Sequence, residues 1–542
     1  MARLFFPQFA KSASGIEVHP GLTILDCARR AGIEIRAECN GNGTCGTCAV
    51  RIERGAECLN HPTPHETKAA LGPGERLACQ ARIVRPVCDI VAYIRDFGRY
   101  EILRYAEERE IPLQPACVRR GNAVVRDGAE IDRWRGKMLG VALDVGTTTI
   151  VLDLVDLETG DVLETAARLN PQISYGNDII SRIDHVTVHK DEKRYLTPDE
   201  RAVRVAELQK AVVAAVNDEL ARIAGELGED VGSCVYETVV VGNPTMRDLF
   251  FGRDVSSLGV RPFEPLSTEP VTASPGEIGL SVNPAGRVYG ASLIGGHLGA
   301  DALANVLATD LHRAQQPSMV VDIGTNGEVV VGNRDRIIGA SAAAGGAFEG
   351  VSVSSGIGAV EGAIKEVRIV DGQVVYSTIG NKHPIGICGS GLIDLLAELL
   401  AHGILTERAR LARNFYLTAD ISISQQDVFH LVTSKAALRT AQQVLLRQYP
   451  LPVELLDRVF LSGGFGTFVN PASAVRIGLL VAPSEDRIIK IGNGALEGAR
   501  QMLVSLERRA LSERLARDIV HLRTHEVEKD FDIILADNMY FA

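Results

Sequence analysis

The 542-residue chain has no run approaching the roughly 18 apolar residues that a membrane-spanning helix needs, which excludes an ordinary helical anchor. It has no basic excess either. Lys+Arg number 57 against 68 Asp+Glu, a net charge of −11 with no concentrated basic stripe, so the electrostatic footprint of a nucleic-acid binder is missing. The first residues, MARLFFPQFAKSASG, lack a charged segment ahead of a long apolar core and a small-residue cleavage site; with no export signal, a cytoplasmic protein is expected. Low-complexity tracts are absent, and 46% hydrophobic with 23% charged residues excludes wholesale disorder. The phosphate-binding pattern G-x-x-x-x-G-K-[ST] does not occur. The glycines near Gly356 lack the strand-to-helix context of a dinucleotide site. No Ser-His-Asp or paired-carboxylate hydrolase arrangement stands out, and no flavin or nicotinamide fingerprint is visible. Cysteine is nearly absent from most of the chain: the last 425 residues hold two of the ten.

The other eight cysteines crowd into the first 117 residues. A secreted disulfide scaffold would be short and uniformly rich in cysteine, so crowding at one end of a large protein points to metal. Cys39, Cys45 and Cys48 follow C-x5-C-x2-C spacing, and Cys79 comes 30 residues later. Gly41, Gly43 and Gly46 interleave the first three. They make a loop that can wrap a cluster with backbone N–H groups aimed at the sulfurs, which stabilises the reduced state. Zinc is the alternative, but structural zinc sites usually pair two short motifs, whereas this pattern is three plus one. Cys27, Cys58, Cys88, Cys117, Cys234 and Cys388 lack ligand spacing and are expected to be structural.

At roughly 150 residues per domain, the length predicts three or four domains. Residues 1–94 carry 11 Lys/Arg against 9 Asp/Glu, so the acidic balance belongs to residues 95–542. Residues 95–137 are charge-dense and breaker-rich and read as a linker with a short helix near Tyr100–Arg109. From Leu139 the pattern is strand, turn, strand, turn, strand, with breaks at Gly146–Thr148 and Glu158–Asp161. The same pattern returns from Ser318. Asp144 and Asp322 hold equivalent places in LDVGTTT and VDIGTNG, which predicts two similar halves, 138–316 and 317–542, each opening with an antiparallel meander. Helices are expected at Pro198–Leu227, Ala300–Gln315, Leu392–Gly403 and Glu497–Leu506.

A turn of small residues after a strand that ends in Asp can cradle phosphate. Its N–H groups converge on an anion, threonine hydroxyls add donors, and the Asp can hold Mg²⁺ through water. One such turn is weak evidence, but two copies can clamp one triphosphate. A third element, Val459-Phe-Leu-Ser-Gly-Gly-Phe-Gly466, runs a strand into glycines that permit the close approach of an adenine.

The cysteine segment resembles the [2Fe–2S] ferredoxin family, in its adrenodoxin-like spacing, and so implies a β-grasp fold over residues 1–94. The three glycine-rich elements resemble the phosphate-1, phosphate-2 and adenosine motifs of the acetate and sugar kinase, Hsp70 and actin superfamily. That resemblance implies two ribonuclease-H-like subdomains with ATP·Mg²⁺ between them. Asp144, Gly146, Thr147, Thr148 and Thr149 fall in the first motif. Asp322, Gly324, Thr325, Asn326 and Gly327 fall in the second, and Gly463, Gly464 and Gly466 in the third. Asp144 or Asp322 orienting the attacking water is the plainest hydrolytic assignment. Gly492–Ala499 resembles the superfamily's second connecting helix.

The predicted class is therefore a multidomain chain, α+β then α/β: a β-grasp ferredoxin, a linker, and an actin/Hsp70-like ATPase. That combination resembles the reductive activators of corrinoid proteins. So do four fragments: Asn170–Asp178, Val241–Met246, Ala347–Gly350 and Ile387–Gly391. The resemblance implies ATP-dependent one-electron reduction of cobalt(II) to cobalt(I) in a corrinoid protein of a methyltransferase system, with electrons from an external low-potential donor. A homodimer is left open. Two other readings are an activator of a radical acyl-CoA dehydratase or reductase, against which the fused ferredoxin argues, and a redox-sensing module whose nucleotide-dependent binding involves no corrinoid.

Overall fold

The computed structural model describes residues 2–6, 15–31, 33, 35, 37, 41–43, 48–68, 71, 74–94, 111–176, 178–189, 192–228, 230–350, 352–464 and 468–541. The expected sites Cys39, Cys45 and Gly466 lie outside the described residues, as does the helix expected near Tyr100–Arg109. Among the described residues no helix is long and apolar enough to cross a membrane.

The N-terminal region is a five-stranded mixed sheet in the order Ile16–Glu17, Arg3–Phe5, Ile90–Ile94, Ala49–Arg54, Glu75–Leu77. The helix Ile24–Arg30 lies against it. Thr23 and Asp26 start that helix with reciprocal side-chain-to-backbone bonds, and Arg29 and Arg30 close it. Its Ile24, Leu25, Cys27 and Ala28 are buried in a core shared with Leu4, Phe6, Val50 and Ile90. This is the expected β-grasp, with Cys27 in the core. Cys58 and Cys88 are joined as a disulfide with Cα atoms 6.7 Å apart.

Residues 117–133 were expected to be linker, and they form a three-stranded antiparallel sheet, Cys117–Arg120, Ala123–Arg126 and Ala129–Arg133. Cys117 and Val124 sink into the neighbouring core, and Arg126 donates to the carbonyls of Tyr236 (2.6 Å) and Ala285 (2.9 Å).

Two six-stranded sheets of related topology organise the rest, with a smaller sheet of Gln373–Thr378, Ala363–Val370 and Gly386–Ile387 beside the second. The first runs Val162–Leu169, Thr149–Asp156, Leu139–Val145, Val235–Val241, Arg287–Gly290, Val271–Ala273; the second runs Ile337–Ala342, Gly327–Gly332, Ser318–Ile323, Val459–Ser462, Ile488–Gly492, with Val520–His521 beyond Ile337–Ala342. In each, an antiparallel meander of three is extended by two parallel strands. The sequence explains why the centres hold. Val235–Val241 is buried at all seven positions, as a strand covered on both faces must be. Of the expected helices, Pro198–Leu227 forms as such; the others run Ala300–Thr309, Gly389–Ala401 and Gly494–Val504.

Ala300–Thr309 and Gly494–Val504 cross between the two sheets. A Cβ at Gly498 would collide with the Ala304 carbonyl oxygen, so only glycine admits this backbone contact. The second helix is followed by Leu506–Asp518, whose Arg509 reaches back to buried Glu237 of the first half (2.7 Å) and stacks over Tyr289. Gln114 of the incoming chain donates to the Val504 carbonyl and accepts from the Leu506 N–H, knitting it to the junction of these helices.

Candidate active site and cluster-bearing loop

The two meander turns face each other across an open cleft. Its lining brings together Asp144, Gly146, Thr147, Thr148 and Thr149 from one turn, Asp322, Gly324, Thr325 and Asn326 from the other, and Gly463 and Gly464 from the third element. Gly327 is not in the lining. It begins a strand, and a Cβ there would collide with Leu438 Cδ2, so its small size serves the core.

The first turn is tight because the Gly146 N–H bonds the Thr149 carbonyl, and a Cβ at Gly146 would lie 2.5 Å from that oxygen. It is braced from behind. Asn170 donates to the Gly146 carbonyl (2.8 Å), Arg182 to the Thr147 carbonyl (2.5 Å), and Asn243 to Thr147 Oγ1 (3.1 Å). Arg182 is fully buried and also donates to the Gly176 carbonyl (2.9 Å) and Gln172 Oε1 (3.2 Å). Burial draws its guanidinium down to about 9, so it stays charged at neutral pH and places a cation behind the turn. In the third element Gly463 has φ +117°, and a Cβ would lie 2.5 Å from the Ile323 carbonyl oxygen, while Gly464 faces open space.

The two aspartates at the strand ends are held by amides from the opposite half. Asn493, the N-cap of Gly494–Val504, donates to Asp144 Oδ2 (2.9 Å); Asn305, on Ala300–Thr309, donates to Asp322 Oδ2 (2.6 Å). Ser462 Oγ also donates to Asp322 Oδ2 (3.3 Å). Beside them lie Asp301 and Glu328. Burial pushes Asp144 up to about 7 and Asp301 to about 8, and it raises Asp322 and, strongly, Glu328. A fifth carboxylate, Glu349, meets both turns. Its Oε2 accepts from Thr148 Oγ1 (3.1 Å) and Thr325 Oγ1 (2.5 Å), and the two hydroxyls are 2.7 Å apart.

No Lys, Arg or His is among the described residues lining the cleft. Asp144, Asp301, Asp322 and Glu328, with no basic side chain beside them in the lining, form a cluster that a hard divalent cation would draw into its ionised form. The donor set therefore fits Mg²⁺ carried in with a nucleotide, while the turns and Arg182 supply the anion side.

Of the four expected cluster ligands, two are described. Cys48 and Cys79 are buried with their sulfurs 3.3 Å apart. The Cys79 thiol is drawn down to about 6, first by the hydrogen bond with Cys48, and Gln80 Nε2 approaches its sulfur while donating to the Gly41 carbonyl (3.1 Å). Two converging sulfurs, one inclined to be a thiolate, suit an iron–sulfur cluster. Ser390, in the Ile387–Gly391 fragment, is buried and donates to the Lys365 carbonyl (2.8 Å).

Sequence reasoning missed the roles of Asn170, Arg182, Asn243, Asp301, Asn305, Glu328, Glu349 and Asn493. The signal existed for several. Asn170, Asn243, Glu349 and Asn493 lie in glycine- and asparagine-rich fragments that the sequence singles out, though without a partner assigned to any.

Three family models match the chain: "2Fe-2S iron-sulfur cluster binding domain" over residues 10–84, "RACo middle region" over 139–314, and "C-terminal domain of RACo the ASKHA domain" over 316–542. The corrinoid activation enzyme RamQ of Eubacterium limosum is 26% identical, with 99% of each chain covered. The [Co(II) methylated amine-specific corrinoid protein] reductase of Methanosarcina barkeri is 27% identical over 73% of this chain and 76% of its own. Among solved structures, a reductive activator for corrinoid, iron-sulfur protein superposes with a TM-score of 0.72 at 28% identity, covering 100% of this chain and 98% of that one.

Proposed function

The chain belongs to the family of reductive activators of corrinoid proteins, and we propose that it restores cobalt(I) in a methyltransferase's corrinoid protein by ATP-dependent one-electron reduction. The observation that carries this reading is the union in one chain of a converging thiol pair in a [2Fe–2S] domain with a cleft of two facing turns and cross-held aspartates. A plant-type [2Fe–2S] cluster supplies one electron at about −400 mV, and cobalt(II) in a corrinoid is harder to reduce than that, so the transfer needs an energy source. Cys39, Cys45, Cys48 and Cys79 are the ligands in this reading, and the electron comes from an external low-potential donor in the cytoplasm.

The residues of the cleft divide the work. The N–H groups of Thr147–Thr149 and of Thr325 and Asn326, with the threonine hydroxyls, bind the phosphates. Asp144 and Asp322 hold the water shell of Mg²⁺ and are aimed by Asn493 and Asn305. Gly463 and Gly464 leave room for the adenosine. Because each aspartate is held from the other half, a nucleotide that shifts one half relates both sites at once. Closure of that kind can favour the state of the corrinoid partner in which cobalt is reduced.

The test mixes reduced full-length protein, ATP·Mg²⁺ and candidate cobalt(II) corrinoid proteins and follows cobalt(I) absorbance. Growth that requires ATP and is blocked by Asp322→Ala and by Cys48→Ala is expected. Equal growth without nucleotide overturns the ATP-driven reading, and failure to bind any corrinoid protein favours the redox-sensing one.

A further inference from the structure

We propose that Glu349 is the general base of ATP hydrolysis, an inference that rests on reading the cleft as an ATPase site. Thr148 and Thr325 come from opposing turns, and their hydroxyls touch at the point where Glu349 Oε2 accepts from both. A terminal phosphate held by both turns lies at that meeting point, because it is there that they converge on one group. When the two hydroxyls turn to phosphate oxygens, Oε2 is left facing the phosphorus, and an ionised carboxylate in that position can only accept a proton.

The other four carboxylates are placed for different work. Asp144 and Asp322 are engaged by amides on the cation side, and Asp301 and Glu328 lie beside them. Glu349 stands on the threonine side. Its mounting is rigid. It ends the short helix Gly346–Glu349, and the next residue, Gly350 with φ +81°, packs so that a Cβ would lie 2.5 Å from the Ile357 nitrogen. The step balances. The water oxygen bonds to the terminal phosphorus, its proton passes to the Glu349 carboxylate, and the bond to the bridging oxygen breaks to release ADP. Phosphate then leaves with the proton returned to solvent.

The experiment measures steady-state ATPase and fluorescent-ADP affinity in the full chain carrying its cluster. E349Q is expected to lower kcat by on the order of 100-fold or more while leaving KM, ADP affinity and the EPR signal unchanged. E349A is expected to regain turnover when formate is added, a rescue that a purely structural side chain does not give. Turnover of E349Q within about twofold of wild type overturns the inference. So does a rise in KM at constant kcat, or formate without effect on E349A. A wild-type chain that neither binds nor hydrolyses ATP overturns the ATP-site reading itself, whereas undiminished turnover in E349Q overturns only the role of Glu349.

Discussion

The two turns of the cleft occupy the same place in two related sheets and are supported in opposite ways. The first leans on Asn170 and Arg182, which grip its backbone carbonyls from outside the cleft, and on Asn243 in the cleft wall. The second is gripped from inside, through Thr325 on Glu349 and on Thr148 of its counterpart. A turn fixed from behind is an anion cradle before any ligand arrives. A turn whose partners are in the cleft must exchange them for the ligand. In the proposed nucleotide site the first turn would thus be largely preformed, while the second, like Thr148 of the first, would exchange its Glu349 contact for the ligand.

The largest effect expected is shared by both turns. Asp144→Ala and Asp322→Ala should each abolish Mg²⁺-dependent ATP turnover while leaving the cluster's EPR signal intact; if only one does so, the halves are not equivalent at the cation. Next comes Arg182→Met, which touches the first turn alone. It removes the buried cation and leaves the Thr147 and Gly176 carbonyls unpaired, at about 1–3 kcal/mol each. ADP affinity by calorimetry should fall about tenfold or more, with a lowered Tm. Unchanged affinity would mean that the first turn is not preformed by its braces.

Asn493→Ala and Asn305→Ala probe the exchange between halves. Each should cost a few-fold to about tenfold in kcat, roughly a hydrogen bond to a charged group, and similar losses are expected because the two contacts mirror one another. The smallest effect concerns the rim between the halves, where His521 lies beside His297, Glu264 and Arg523. Burial first, and Arg523 and His297 further, draw His521 down to about 4, with Glu264 opposing. An unfolded histidine titrates near about 6.5, so the folded chain binds fewer protons between pH 4 and 6.5. Stability should rise with pH through that window and be lost on acidification, and His521→Gln should flatten part of the slope in thermal melts.

Much of this was legible beforehand because it is local. A meander with a glycine turn and an Asp at its mouth is written within about ten residues, and its recurrence at Ser318 gave the second half. Of the described cysteine pair, Cys48 belongs to the short motif, and Cys79, whose sulfur meets it, lies 31 positions on. What escaped is carried across long separations. Asn493 and Asp144 meet 349 positions apart, and nothing in either segment names the other. Arg182 sits on a helix whose other charges are solvated, so a buried guanidinium there has no local signature. The sheet at 117–133 was hidden by strands of four or five residues whose outer faces are charged. Gly327 misled in the other direction: its motif position suggested phosphate, and its packing against Leu438 explains it.

The stitch at Gln114 gives the chain a mechanical root. The segment arriving from the cluster domain is bonded at the far end of Gly494–Val504, and the near end of that helix is capped by the residue that grips Asp144. Eleven helical residues span about 16 Å at 1.5 Å per residue. The contact at Gly498 lies between those ends. The segment that leads in from the N-terminal domain and the aspartate of the first turn are thus fastened to opposite ends of one helix.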